Sequence, residues 1–114
     1  MEPGTSVIPP FVLDPLRELK RRLAKRFGPR LADVRLYGSW ARGEPRVGSD
    51  VDVLVLIHGC TREDVREVSR IEVELMLDLG ATFSVQVMST EELRFLESRE
   101  VGFALDVQQE GISV

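Results

Sequence analysis

Apolar residues fall at positions 13, 16, 19, 23 and 27, the spacing of one face of a helix. Asp14-Pro15 forms a start signal for this helix and Gly28-Pro29 a stop. Its outer face carries Arg17, Lys20, Arg21, Arg22, Lys25 and Arg26. Residues 32–37 (ADVRLY) alternate apolar and polar, which predicts a strand that Gly38 breaks. Val51 to Ile57 is apolar on both alternations, as in a central strand covered on both sides.

The pattern then returns to a helical period. Thr61 can cap a helix with Asp64 as its box-like partner. The helix runs to about Leu79, with Val65, Val68, Ile71, Leu75 and Leu79 predicted inward, and Gly80 stops it. Phe83 to Met88 predicts a third strand. Ser89 or Thr90 caps a helix through about Ser98, and a last helix covers roughly 101–109, ended by Gly111. Residues 1–12 hold three prolines and a glycine and are expected to form an extended arm. The order α-β-turn-β-α-β-α-α predicts one α/β domain over residues 13–114, with a mixed sheet of three or four strands and helices packed on it.

Composition narrows this picture by exclusion. At 114 residues the chain can build one modest core and not two. No apolar run approaches the length of a membrane span, and no secretory signal is visible at the N-terminus. The single cysteine, Cys60, excludes an internal disulfide and fits a reducing cytoplasm. The absence of a Cys/His cluster excludes a structural zinc site. The net charge of −4 is segregated. Residues 15–35 carry eight basic against two acidic side chains, and residues 36–114 seven against fifteen. The basic stretch is read as a solvated helix face or as a patch for an acidic or phosphate-bearing partner. No aromatic interleaving accompanies it, so nucleic acid is not expected as a ligand.

The chemistry concentrates in residues 38–52. On a strand, Asp50 and Asp52 would point to one face beside Leu54 and Leu56. Two adjacent carboxylates beside apolar residues repel, so one takes up a proton unless a cation lies between them. Oxygen-only ligands of this kind suit Mg²⁺ or Mn²⁺ completed by substrate phosphates. Alone, Asp-x-Asp describes a solvated strand end equally well. Upstream, Gly38 allows a tight turn and close approach of a phosphate to the backbone. Ser39 and the first amides of the following turn can bind phosphate oxygens, and Arg42 adds positive charge nearby. Four fixed positions of this kind arise by chance in roughly one chain in a thousand of this length.

The run GSWARGEPRVGSDVDVLVL, residues 38–56, resembles the signature of minimal nucleotidyltransferases, small members of the DNA polymerase beta superfamily that share a core with kanamycin nucleotidyltransferase. More loosely, the resemblance covers about residues 13–114. It implies a polymerase beta-like α/β fold. It assigns phosphate binding to Gly38 and Ser39 and metal binding to Asp50 and Asp52. Arg42 and Ser49 match positions commonly filled alike in such motifs. The implied reaction is Mg²⁺-dependent transfer of a nucleoside monophosphate, usually AMP from ATP, to an acceptor hydroxyl. Such proteins are often paired with a small helical HEPN-type protein, in the best understood cases as antitoxins. The chain's size also calls for a partner to hold the acceptor, and a further reading is a structural module that self-associates into a homo-oligomer through the basic helix and the apolar arm.

The sequence departs from the pattern at one place. Family members usually place a third carboxylate on the next strand, where this chain has Gln86. Glutamine can coordinate a cation but cannot serve as a general base. Ser84 and Met88 share its face, and Glu91 and Glu92 lie past the strand. The alternative reading is therefore a module that binds nucleotide or neutralises a partner by contact. His58 and Cys60 are read as structural or solvated, Tyr37 as core, and Trp40 as packing on the sheet rather than stacking on a base.

Overall fold

A computed structural model describes residues 8–43 and 50–114. Ser49, one of the expected phosphate-site residues, lies outside the described residues. The elements in chain order are α1 (Pro10–Phe27), a 3-10 turn (Gly28–Arg30), β1 (Leu31–Tyr37), α2 (Ser39–Arg42), β2 (Asp52–Ile57), α3 (Arg62–Leu79), β3 (Ser84–Met88), α4 (Thr90–Ser98), α5 (Gly102–Glu110) and β4 (Ile112–Ser113). The sheet order is β3-β2-β1-β4. β1 runs antiparallel to β2 and β4, and β2 parallel to β3. The parallel pair is joined through α3, as a parallel pair requires a long crossover.

β2 is the centre of the fold because its sequence is apolar on both faces. Val53 to Ile57 are all buried. Val53, Val55 and Ile57 pack with Val34 and Leu36 against α1 and α3, where Leu16, Leu19, Leu23, Val68, Ile71 and Leu75 face inward. Leu54 and Leu56 pack on the opposite face with Met88, Leu93 of α4 and Ala104 and Val107 of α5. The expected central strand, covered on both sides, is thus observed. Among the described residues no helix is long and apolar enough to cross a membrane.

Three local expectations are corrected. First, α1 starts at Pro10, with Pro15 inside it, so residues 10–12 are not an extended arm. A proline within a helix costs about 3 kcal/mol. The longer helix buries Val12 and Leu13, and Ile8 just ahead of it joins the same core. Each such side chain contributes roughly 1.5–3 kcal/mol, so packing outweighs the local signal of Asp14-Pro15. Second, Val65 and Leu79 of α3 are exposed, and the buried stripe is Asp64, Val68, Ile71 and Leu75. Third, the helix ends before Gly111 as expected, but the sequence pattern predicts no element after it. Ile112 and Ser113 pair with Leu36 and Arg35, which supplies the fourth strand.

Asp64 enters the core through its partners. It forms the expected capping box with Thr61: Thr61 N donates to Oδ2 at 2.9 Å, and Asp64 N donates to Thr61 Oγ1 at 3.2 Å. Arg30 Nη1 donates to Oδ1 at 3.2 Å, and Arg30 Nη2 pairs with Oδ2. The Arg30 guanidinium, then the Thr61 amide, hold the carboxyl at about 2. In an unfolded chain it titrates near 3.9. A depressed folded value stabilises above the unfolded pKa and is lost as pH falls through the folded one. Asp64→Asn should therefore lower the melting temperature at pH 7. That deficit should shrink between about pH 4 and pH 2, as read by thermal unfolding followed by circular dichroism.

Candidate active site

The turn after β1 brings the motif together. Tyr37 pairs with Asp52 across the β1–β2 ladder, so the next residue, Gly38, arrives beside the Asp52 side chain. Gly38 has φ +77°, a conformation that favours glycine. A methyl group built there would collide with Asp52 Oδ2 and stand 3.2 Å from Cγ. The backbone angle therefore favours glycine, and any side chain here would have to displace the Asp52 carboxylate. The chain then turns into α2, closed by Arg42 N donating to Gly38 O at 3.1 Å and by Gly43 in the left-handed region. Ser39 opens this turn, at the end where helical amides point outward.

Asp50 precedes β2 rather than lying on it, and is exposed. Asp52, the first residue of β2, is half-buried. Burial and the charge of Asp50 push its carboxyl above the ordinary carboxylate range, against the opposing pull of Arg42. Three expected residues are thus electrostatically coupled. Tyr37 was read as core. It packs edge-on to Phe103 with centroids 5.4 Å apart, yet burial and the Asp52 charge also raise its phenol pKa. Trp40 packs against the main core and edge-on to Phe11 at 5.7 Å.

The parallel register of β3 fixes what stands beside Asp52. Ser84 is its direct neighbour, and Gln86 is one pleat further on, beside Leu54. Both are exposed, and neither is an acid. Glu91 and Glu92 sit in the first turn of α4, beyond Met88 at the far end of β3. Four strand steps separate Ser84 from Met88, roughly 13 Å. An acid not foreseen from the sequence lies closer to the motif. Glu110, the last residue of α5, accepts a hydrogen bond from Arg42 Nη1 at 2.9 Å. The two are 68 positions apart, and no local pattern links them. A pair of carboxylates held close, with open surface beside them, fits a divalent cation that takes its remaining oxygens from phosphate. Among the described residues no third His, Cys, Asp or Glu joins them.

The chain belongs to the nucleotidyltransferase domain family, whose sequence model matches residues 16–106. Within that family its likeness is to minimal nucleotidyltransferases. A solved structure assigned as one is 32% identical, with a TM-score of 0.50 over 87% of this chain and 95% of that one. A toxin–antitoxin crystal structure with AMP-PNP is 22% identical, with a TM-score of 0.52 over 84% of this chain and 69% of that one. A structure from Sulfolobus solfataricus assigned as a nucleotidyltransferase is 20% identical, with a TM-score of 0.50 over 90% and 78%. A search of curated proteins found no match. The expected mixed α/β nucleotidyltransferase fold is therefore the observed one.

A carboxyl whose pKa is raised by folding stabilises below its unfolded value, and that contribution is lost as pH rises through the folded value. Ionised Asp52 thus destabilises the free protein at neutral pH. Asp52→Asn should raise the melting temperature at pH 7, with the gain fading toward about pH 4. Unfolding curves at the two pH values check it.

Proposed function

We propose that this protein transfers a nucleoside monophosphate, AMP from ATP, to a hydroxyl on a partner protein or small molecule, with Mg²⁺ or Mn²⁺. The observation that carries the reading is the fit of Gly38 against Asp52. It puts a backbone able to approach phosphate directly beside a carboxyl whose ionised form is disfavoured by burial and by the charge of Asp50. Gly38, Ser39 and the turn they open would receive the terminal phosphates. Arg42, held by Glu110, would balance phosphate charge and keep Asp52 ionised. Ser49 belongs to the same proposed phosphate site. Asp50 and Asp52 would hold the divalent cation, which when bound supplies charge neutralisation at the phosphates.

In-line attack of the acceptor hydroxyl on the α-phosphorus, which breaks its bond to the bridging oxygen and releases pyrophosphate, then rests on positioning. Gln86 and Ser84, on the strand beside Asp52, can orient an acceptor hydroxyl by hydrogen bonds but cannot take its proton. The acceptor proton would pass to water or to a group on the acceptor. Turnover is accordingly slow. The AMP-PNP complex of the toxin–antitoxin relative supports ATP as the donor. That structure is of a toxin–antitoxin pair, which supports a partner protein for this chain; the role read for it is the antitoxin, with a small helical HEPN-type protein as acceptor. The second reading, a module that binds nucleotide and neutralises its partner by contact, is favoured by the amide at position 86.

Labelled ATP, Mg²⁺ and a candidate helical partner protein test the reading. Label should appear on that protein and disappear with Asp50→Ala or Asp52→Ala. Neutralisation that persists in Asp52→Ala would assign the chain to contact inhibition instead. Gln86→Asp should speed transfer, since general-base catalysis contributes on the order of 10²–10⁴-fold. A rate unchanged by that substitution would place the proton acceptor elsewhere.

A further inference from the structure

Six acids lie on α3. Glu63, Asp64, Glu67, Glu74 and Asp78 each pair with an arginine. Glu72 has no hydrogen bond or ion pair through its side chain among the described residues. It is half-buried, and burial alone pushes its carboxyl upward. Its surroundings are apolar. Beside it a shallow cleft of about 120 Å³ is lined by Val73, Met76, Ala81, Thr82 and Phe83. A second cleft, of about 250 Å³, shares Ala81, Thr82 and Phe83 and continues past Phe11 and Trp40 to Asp50.

Two of the lining residues are large apolar side chains that face solvent, Phe11 at 71% and Val73 at 50% exposed, and Leu77, one helical turn beyond Val73 on α3, is 75% exposed. Contiguous exposure of this kind marks a contact surface more often than scattered apolar residues do. Among the described lining residues of the two clefts the charges are Glu72 and Asp50, with no lysine or arginine. Pairing of this face with its own copy would bring acid toward acid and supply no base. The complementary occupant is apolar and carries a cation.

Building on the nucleotidyl-transfer reading, we propose that this strip is the docking surface for the acceptor protein. It would seat an apolar segment with a lysine or arginine against Glu72 and lead the acceptor toward Asp50. Partner burial of Leu77 and Val73 supplies affinity, and the cation at Glu72 fixes the register. The site at Asp50 is thereby matched to macromolecular acceptors that reach it along α3.

The test uses the whole chain and a short amphipathic helical peptide of leucine and lysine, with a leucine–glutamate peptide as its opposite. Isothermal calorimetry should show the lysine peptide binding the wild-type protein. Leu77→Asp should weaken it at least about tenfold. Glu72→Lys should weaken it similarly and admit the glutamate peptide. Glu63→Lys, the same charge change at the other end of α3, should leave both affinities unchanged. ATP–Mg²⁺ binding and the melting temperature should be unchanged in Leu77→Asp. Lysine-peptide affinity indifferent to Leu77, or equally sensitive to Glu63, overturns the docking surface alone. A wild-type dimer that Leu77→Asp splits into monomers assigns the face to a second copy and also overturns it. ATP that fails to bind the wild-type protein overturns the reading of the site, and the acceptor role with it.

Discussion

The antiparallel pairing of β1 with β2 is the constraint on which the rest depends. It sets Tyr37 opposite Asp52 and so delivers Gly38 against the Asp52 carboxylate. A slip of one residue would move Asp52 to the face packed against α1 and α3 and Val53 to the face packed against α4 and α5, since strand side chains alternate. The register is protected from such a slip by burial. Val53 and Val55 on one face and Leu54 and Leu56 on the other are all removed from water. The same apolar run that builds the core therefore fixes the geometry of the site at its end.

This arrangement explains which features the sequence made legible. β2, the capping box at Thr61 and Asp64, and the stop at Gly80 are local: each depends on residues within a few positions of one another. The Gly-Ser and Asp-x-Asp signals are local too, and the structure brings Gly38, Arg42, Asp50 and Asp52 to one place. The misread features depend on distant partners. Pro10 starts α1 because Val12, Leu13 and Ile8 find a core, which no start signal records. Ile112 becomes a strand because β1 has a free edge. Glu110 meets Arg42 across 68 residues. Leu79, on stripe by period, is 54% exposed, because it lies in the last turn of α3 and finds no partner in the buried cluster.

The same distinction bears on the third carboxylate. The likeness to minimal nucleotidyltransferases identified Gln86 as its replacement, and the register adds that Ser84 is nearer still to Asp52. β3 therefore offers two neutral hydrogen-bonding side chains where an acid is expected. Among the described residues the acid brought to the motif from elsewhere is Glu110, which is engaged by Arg42. A site organised this way is better equipped to hold charge than to move a proton.

Asp52 and Glu72 then share a physical condition. Each carboxyl is raised by burial, so each is ionised at neutral pH only against the preference of the free fold. Such groups persist at sites whose partner is absent from the isolated chain. For Asp52 the relieving charge is the proposed cation beside the phosphates. For Glu72 it would be a basic side chain of the proposed acceptor. Asp50, whose charge acts on Asp52, lines the cleft that joins the one lined by Glu72. A ligand that neutralises either end stabilises the folded chain. Binding at the two ends is coupled only as far as occupancy of one reshapes the shared lining at Ala81 to Phe83.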